Sequence, residues 1–150
     1  MNIVAKNKKA HFDYEIFGTI EAGIVLSGDE VKTLRAKRGS LVGAFATIKD
    51  GEIFLLNCNI PLYSHAYTKD VEAAFRTRKL LFHRKEINKL IGEVSKKGTT
   101  LVPTIIYFNK RNKVKVEIGL ARHRKSESKK SVIKERDIAR DTHRELKNLR

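Results

Sequence analysis

The sequence predicts a mainly β protein with helices, folded as a small closed antiparallel β-barrel of about six strands and two to three helices, with a basic C-terminal tail. Three observations carry this expectation. Apolar, β-prone runs come in hairpin-like pairs, most clearly around Asp50-Gly51. One segment repeats apolar residues at helical spacing, through Ile87, Leu90, Ile91 and Val94. After Ala121 the chain turns polar and basic, with too few apolar residues to extend a core.

In chain order, Asn7, Lys8, Lys9 and His11 form a polar, basic entry. Tyr14, Ile16 and Ile20, then Ile24 to Leu26, supply two β-prone runs, with Gly18 and Gly23 placed for bends or bulges. Ser27 and Glu30 have capping-box spacing, and the short helix that follows them takes an apolar stripe from Val31 and Leu34 and ends near Gly39. Phe45 to Lys49 and Glu52 to Cys58 flank Asp50-Gly51 as a hairpin closed by Pro61. Residues 62 to 79 carry no clear period and read as a long loop with a helical turn, ending in the basic pair Arg78 and Lys79. The helix through Ile87 and Val94 presents Lys85 and Lys89 on its opposite face and has Gly98 where a C-terminal cap is expected. Thr100 to Phe108, a turn at Asn109 to Asn112, and the alternation of Val114, Val116, Ile118 and Leu120 then make a second hairpin. Strands in hairpins with interspersed helices match the architecture of the oligonucleotide-binding barrel.

The 150 residues predict a single folded body at 1–125, and the tail spans 126–150. Lys and Arg number 32 against 17 Asp and Glu, a net charge of +15 and a pI near 10.1, which points to nucleic acid or an anionic surface as partner. No apolar run approaches the length of a membrane span and no secretory signal opens the chain, so a cytoplasmic location is expected. Cys58 stands alone, which excludes an internal disulfide and a Cys-rich zinc site and leaves a core thiol.

No phosphate loop, nucleophile elbow or metal-ligand pair is present, so neither a catalytic residue, a cofactor nor a metal is expected. The histidines, at 11, 65, 83, 123 and 143, stand without ligand spacing and read as surface or RNA-facing side chains. Glu30 is accounted for by the helix cap, and Glu21 lies in a bend without a visible partner. Lys85 and Lys89 read as a solvated helix face. Lys113 and Lys115 open the last strand, and Arg122, Arg124 and Lys125 follow it, so they are read as one positive strip toward a polyanion, with Asn7, Lys8 and Lys9 adding to it. After Ala121, residues 122 to 150 hold eleven Lys or Arg against five Asp or Glu. Arg136, Arg140 and Arg144 fall at i, i+4, i+8 and would share one face of a helix formed on a partner, the tail being disordered when free.

Several stretches resemble the SsrA-binding protein (small protein B) family. They are Asn-Lys-Lys-Ala at 7 to 10, Glu-Ala-Gly-Ile at 21 to 24, Glu-Val-Lys-Thr-Leu-Arg at 30 to 35, Asp-Gly-Glu-Ile-Phe-Leu at 50 to 55 and Arg-Lys-Leu-Leu at 78 to 81. Glu-Ile-Asn-Lys-Leu-Ile-Gly at 86 to 92, Lys-Val-Lys-Val-Glu-Ile-Gly-Leu-Ala at 113 to 121 and Ile-Lys-Glu-Arg-Asp at 133 to 137 complete the set. The chain departs from the family pattern at Phe12, at His123 and at Glu127 and Ser128. The resemblance implies a non-enzymatic, monomeric RNA-binding adaptor. Its barrel would grip the tRNA-like domain of transfer-messenger RNA, and its tail would enter the small-subunit decoding region and mRNA channel of a stalled ribosome and become helical there. It further implies RNA contact for Lys8, Glu21 and Lys115, and ribosome contact for Lys129, Lys130, Lys134, Glu135 and Arg136. The residues themselves leave two alternatives open: a general ribosomal or single-strand RNA-binding barrel, and a nuclease or RNA-modifying enzyme using Glu21 or a histidine.

Overall fold

The computed structural model describes residues 2–63, 71–96 and 98–124, and the tail at 126–150 lies outside them. The strands are β1 (Asn2–Lys6), β2 (Tyr14–Ile24), β3 (Phe45–Lys49), β4 (Glu52–Leu56), β5 (Arg78–Leu81), β6 (Thr99–Phe108) and β7 (Val114–His123). The α-helices are α1 (Lys8–Asp13), α2 (Gly28–Arg35) and α3 (Arg84–Val94), and a 3-10 turn covers Val71–Phe75. All the strand pairings are antiparallel. Six strands follow one another in the order β6, β3, β4, β5, β2, β7, and the pairing of β7 with β6 closes them into a ring. The expected barrel is therefore present, with β1 added to it as a seventh strand.

That seventh strand explains a proline in the middle of β6. One edge of β6 meets β3 at Leu101 and then β1 from Ile105 to Phe108. Pro103 lies at the hand-over, beside a bulge in the β6–β7 register, where a residue lacking an N–H costs no ladder hydrogen bond. Asn7 fills the gap. Its backbone N–H donates to the Thr104 carbonyl at 2.7 Å, its side-chain amide donates to the Pro103 carbonyl at 2.9 Å, and its Oδ1 accepts from the Ala10 N–H as the cap of α1. The basic entry predicted at 7 to 11 is thus a short helix fastened to β6.

Other local signals hold. Asp50 and Gly51 have φ of 52° and 74°, the positive pair that a tight hairpin turn needs. Ser27 and Glu30 form the reciprocal capping box, with bonds of 3.2 and 2.9 Å. The first predicted run and the start of the second are one strand of 11 residues, β2, with a bulge between Ile16 and Gly18 where one was expected. Gly23 does not break it; a Cβ there would lie 3.3 Å from the Leu81 side chain, so glycine permits the close approach of β5. α2 ends at Arg35, short of Gly39, and α3 ends at Val94. Gly98, with φ of 83°, turns the chain into β6.

The barrel interior is built from Leu34, Ile53, Leu55, Leu80, Ile106 and Ile118, all at most 1% exposed, with Ile87 and Leu90 of α3 packed into the same cluster. Cys58 is buried here, and burial pushes its thiol up to about 11, which makes it an inert core group. A second, smaller cluster of Ala10, Val102 and Ala121, with Tyr14 and Ile16 against it, fixes α1 on the outside of the sheet.

β5 begins inside the stretch predicted as a loop, at its last two residues, Arg78 and Lys79. Its inward positions are Arg78 and Leu80, both fully buried, while Lys79 and Leu81 point outward. The charge on Arg78 conceals the alternation. Its Nε donates to Glu30 at 2.6 Å, Nη1 to the Cys58 carbonyl at 2.7 Å and Nη2 to the Ala74 carbonyl at 3.1 Å. Arg76 binds the same Glu30 carboxylate from the surface side. Glu30 therefore caps α2 and also ties the 3-10 turn and β5 to that helix.

Candidate nucleic-acid interface

Side chains on β7 alternate. Val116, Ile118 and Leu120 enter the core, so Lys115, Glu117, Gly119, Ala121 and His123 lie on the outer face. Lys115 stands opposite Gly23 of β2 and Tyr107 of β6, and Gly23 stands opposite Leu81 of β5. Directly opposed residues share a face, so Leu81, Gly23, Lys115 and Tyr107 form one row across four strands. The adjacent row contains Glu21, Glu117 and Ile105.

Glu21 is not in a bend and does have a partner: the Tyr107 hydroxyl donates to its Oε2. Burial, followed by that bond and the charges of Glu21 and Glu117, pushes the Tyr107 phenol above its ordinary range, so it remains a donor at neutral pH. The Thr104 hydroxyl donates to Glu117 Oε2 at 2.5 Å. Beside these carboxylates, a hollow lined by Gly23, Leu26, Val31, Leu81, Lys113 and Lys115 combines apolar walls with two cations. Leu81 is 51% exposed, and sequence reasoning missed it because Leu80-Leu81 looks like the start of a buried run.

The expected strip is divided. Lys113, in the turn before β7, and Lys115 share one end of the strand, whereas Arg122 lies seven residues on, about 23 Å away at strand rise. Arg122 has the parity of the core residues and emerges at the barrel end, its guanidinium 4.5 Å from the Phe17 ring centroid. Arg124 is half-buried, with its Nε donating to the Tyr14 carbonyl at 3.2 Å. Lys8 and Lys9 are exposed on α1 over the Ala121 end of the outer face, about 20 Å along β7 from Lys115. Asn7 is withdrawn from solvent by the hydrogen bonds that fasten α1, so its place is structural. Lys125 lies outside the described residues, as do Lys129, Lys130, Lys134, Glu135, Arg136, Arg140 and Arg144.

His11, His83 and His123 are exposed, and His123 meets the Tyr14 ring edge-on at 5.1 Å. Among the described residues no three His, Cys, Asp or Glu side chains converge as a metal site, and no helix is long and apolar enough to cross a membrane. Lys85 and Lys89 are exposed on α3, outside both rows.

The family model described as SmpB protein matches residues 4–148. The chain belongs to this family. Among curated relatives, the SsrA-binding protein of Sphingomonas elodea is 49% identical over 145 residues, covering 97% of this chain and 90% of the relative. The SsrA-binding protein of Thermosipho africanus is 47% identical over 150 residues, covering all of both chains. A chain in a solved structure described as "tmRNA-SmpB: a journey to the center of the bacterial ribosome" is 48% identical. It superposes with a TM-score of 0.66 over 81% of this chain and 84% of that one. The barrel and its helices are thus the SmpB family fold, and the match extends into the tail beyond the described residues.

Proposed function

We propose that the protein is a non-enzymatic, cytoplasmic adaptor that binds the tRNA-like domain of transfer-messenger RNA and delivers it to stalled ribosomes for peptide tagging. Family membership supports this reading, and so does the chemistry of the outer face. The observation that carries it is the row of Leu81, Gly23, Lys115 and Tyr107 beside Glu21, which puts a cation, an apolar platform and a hydrogen-bond acceptor on one open sheet surface. Cations hold phosphates, an exposed aliphatic group supports an unstacked base, and a carboxylate accepts from base amino groups or 2′-hydroxyls. Lys8 and Lys9 on α1 extend the positive surface to the far end of that face.

The test is titration of labelled tRNA-like RNA with the protein over a range of salt concentrations. Each lost phosphate contact should lower the slope of log affinity against log salt by about 0.7 to 0.9. Lys8→Ala with Lys115→Ala is expected to reduce both affinity and slope; an unchanged pair of values would move the interface elsewhere. Glu21→Gln is expected to weaken the complex by roughly 1 to 3 kcal/mol with the salt slope and melting temperature retained. A matching loss of thermal stability would give Glu21 a structural duty instead.

A further inference from the structure

We propose that Tyr107 is a positioning residue for RNA recognition, aiming the Glu21 carboxylate across β7; the proposal rests on the RNA-binding reading above. Tyr107 is only 7% exposed although it belongs to the outer face. It stands opposite Lys115, while Glu21 stands opposite Glu117, so the Tyr107 ring crosses β7 diagonally between those two side chains to bring its hydroxyl to Glu21 Oε2. A packed ring is a rigid lever, and its hydroxyl is a fixed point.

Glu21 needs such a point. An exposed glutamate on a strand samples several rotamers, and each rotamer that a partner must freeze weakens binding. Glu21 also faces Glu117 directly across the strand pair, and like charges in that position repel. The hydroxyls of β6 counter both effects. Thr104 holds Glu117 at 2.5 Å, and Tyr107 holds one Glu21 oxygen. The other Glu21 oxygen accepts no hydrogen bond among the described residues, which leaves it to take a donor from RNA. Supporting groups of this kind set the precision of a recognition site without touching the ligand.

The experiment is a double-mutant cycle on binding of the tRNA-like RNA to the full chain, using Tyr107→Phe and Glu21→Gln, with salt dependence recorded for every variant. Phe keeps the ring and removes one oxygen, and thermal melting checks that the ring still packs. Tyr107→Phe is expected to weaken binding about tenfold with an unchanged salt slope, since no phosphate contact is lost. In the Glu21→Gln background it is expected to have no further effect, whereas in the Lys115→Ala background its effect should persist. Wild-type affinity for Tyr107→Phe, or an equal loss with and without Glu21, overturns the positioning role. Failure of the wild-type chain itself to bind the RNA overturns the functional reading and the positioning role with it.

Discussion

Arg78→Met is expected to destabilise the barrel by about 3 to 5 kcal/mol, the range for removing one partner of a buried ion pair. Arg78 is fully buried, and its guanidinium serves Glu30 and the carbonyls of Cys58 and Ala74 together. Met retains much of the volume but leaves the two carbonyls without that donor and removes the buried cation from Glu30, which keeps only Arg76 and the Ser27 N–H. Arg76→Gln removes the other half of the network at a position 39% exposed, and is expected to cost less than about 1 kcal/mol because solvent already screens that pair. Urea unfolding of both variants checks the contrast, and equal losses would show that the buried arm is no stronger than the surface one.

The same network has a pH signature. Burial raises the Glu30 pKa, but the hydrogen bond from Arg76, the Ser27 N–H and the charge and hydrogen bond of Arg78 outweigh it, so the carboxyl is held below its ordinary value. A group whose folded pKa is depressed contributes stability that is present above the unfolded pKa and lost as pH falls through the folded one. The stability difference between wild type and Glu30→Gln should therefore be full at neutral pH and should close as pH drops below the ordinary carboxylate range. A gap that stays constant through acid pH would mean that Glu30 acts by shape alone.

Removal of residues 126 to 150 is expected to separate binding from delivery. Among the described residues the core is complete by Ala121, and β7 ends at His123. Affinity for the tRNA-like RNA should stay within several-fold of wild type, while tagging of chains on stalled ribosomes should be abolished. The reason is compositional. A segment with eight cations, five anions and few apolar residues over 126 to 150 would gain little from packing on a barrel. Arg136, Arg140 and Arg144, spaced i, i+4, i+8, would share one face if an RNA groove offset the entropy of ordering a helix there. Reversing Arg136 and Arg140 to Glu should reproduce the truncation, because length is kept and only the face is inverted. A normal tagging rate in the truncated protein would remove the tail from the mechanism.

Much of this fold is legible in local chemistry. Asp50-Gly51 demands a tight turn, Ser27 and Glu30 demand a cap, and the alternation from Val114 to Leu120 demands a half-buried strand, because each depends on residues a few positions apart. β1 and β5 escape for the opposite reason. Asn2–Lys6 is a strand only because β6 presents a free edge beyond Pro103, and Arg78 reads as a surface cation until Glu30 meets it from 48 positions earlier in the chain.

The candidate interface divides along the same line. Net charge, local apolar periodicity and the ordered matching stretches determined that the protein is a basic barrel with an RNA partner, since each is a property of composition or of residues close together in the chain. Only tertiary structure decided which residues meet. Sequence adjacency joined Lys115 to Arg122 and Arg124, whereas strand alternation and length put them on different faces at opposite ends. Register across β5, β2, β7 and β6 instead drew Leu81, Lys115 and Tyr107 into one row beside Glu21. Pairing between strands is set by which edges close the barrel, a property of the whole chain that no single stretch encodes.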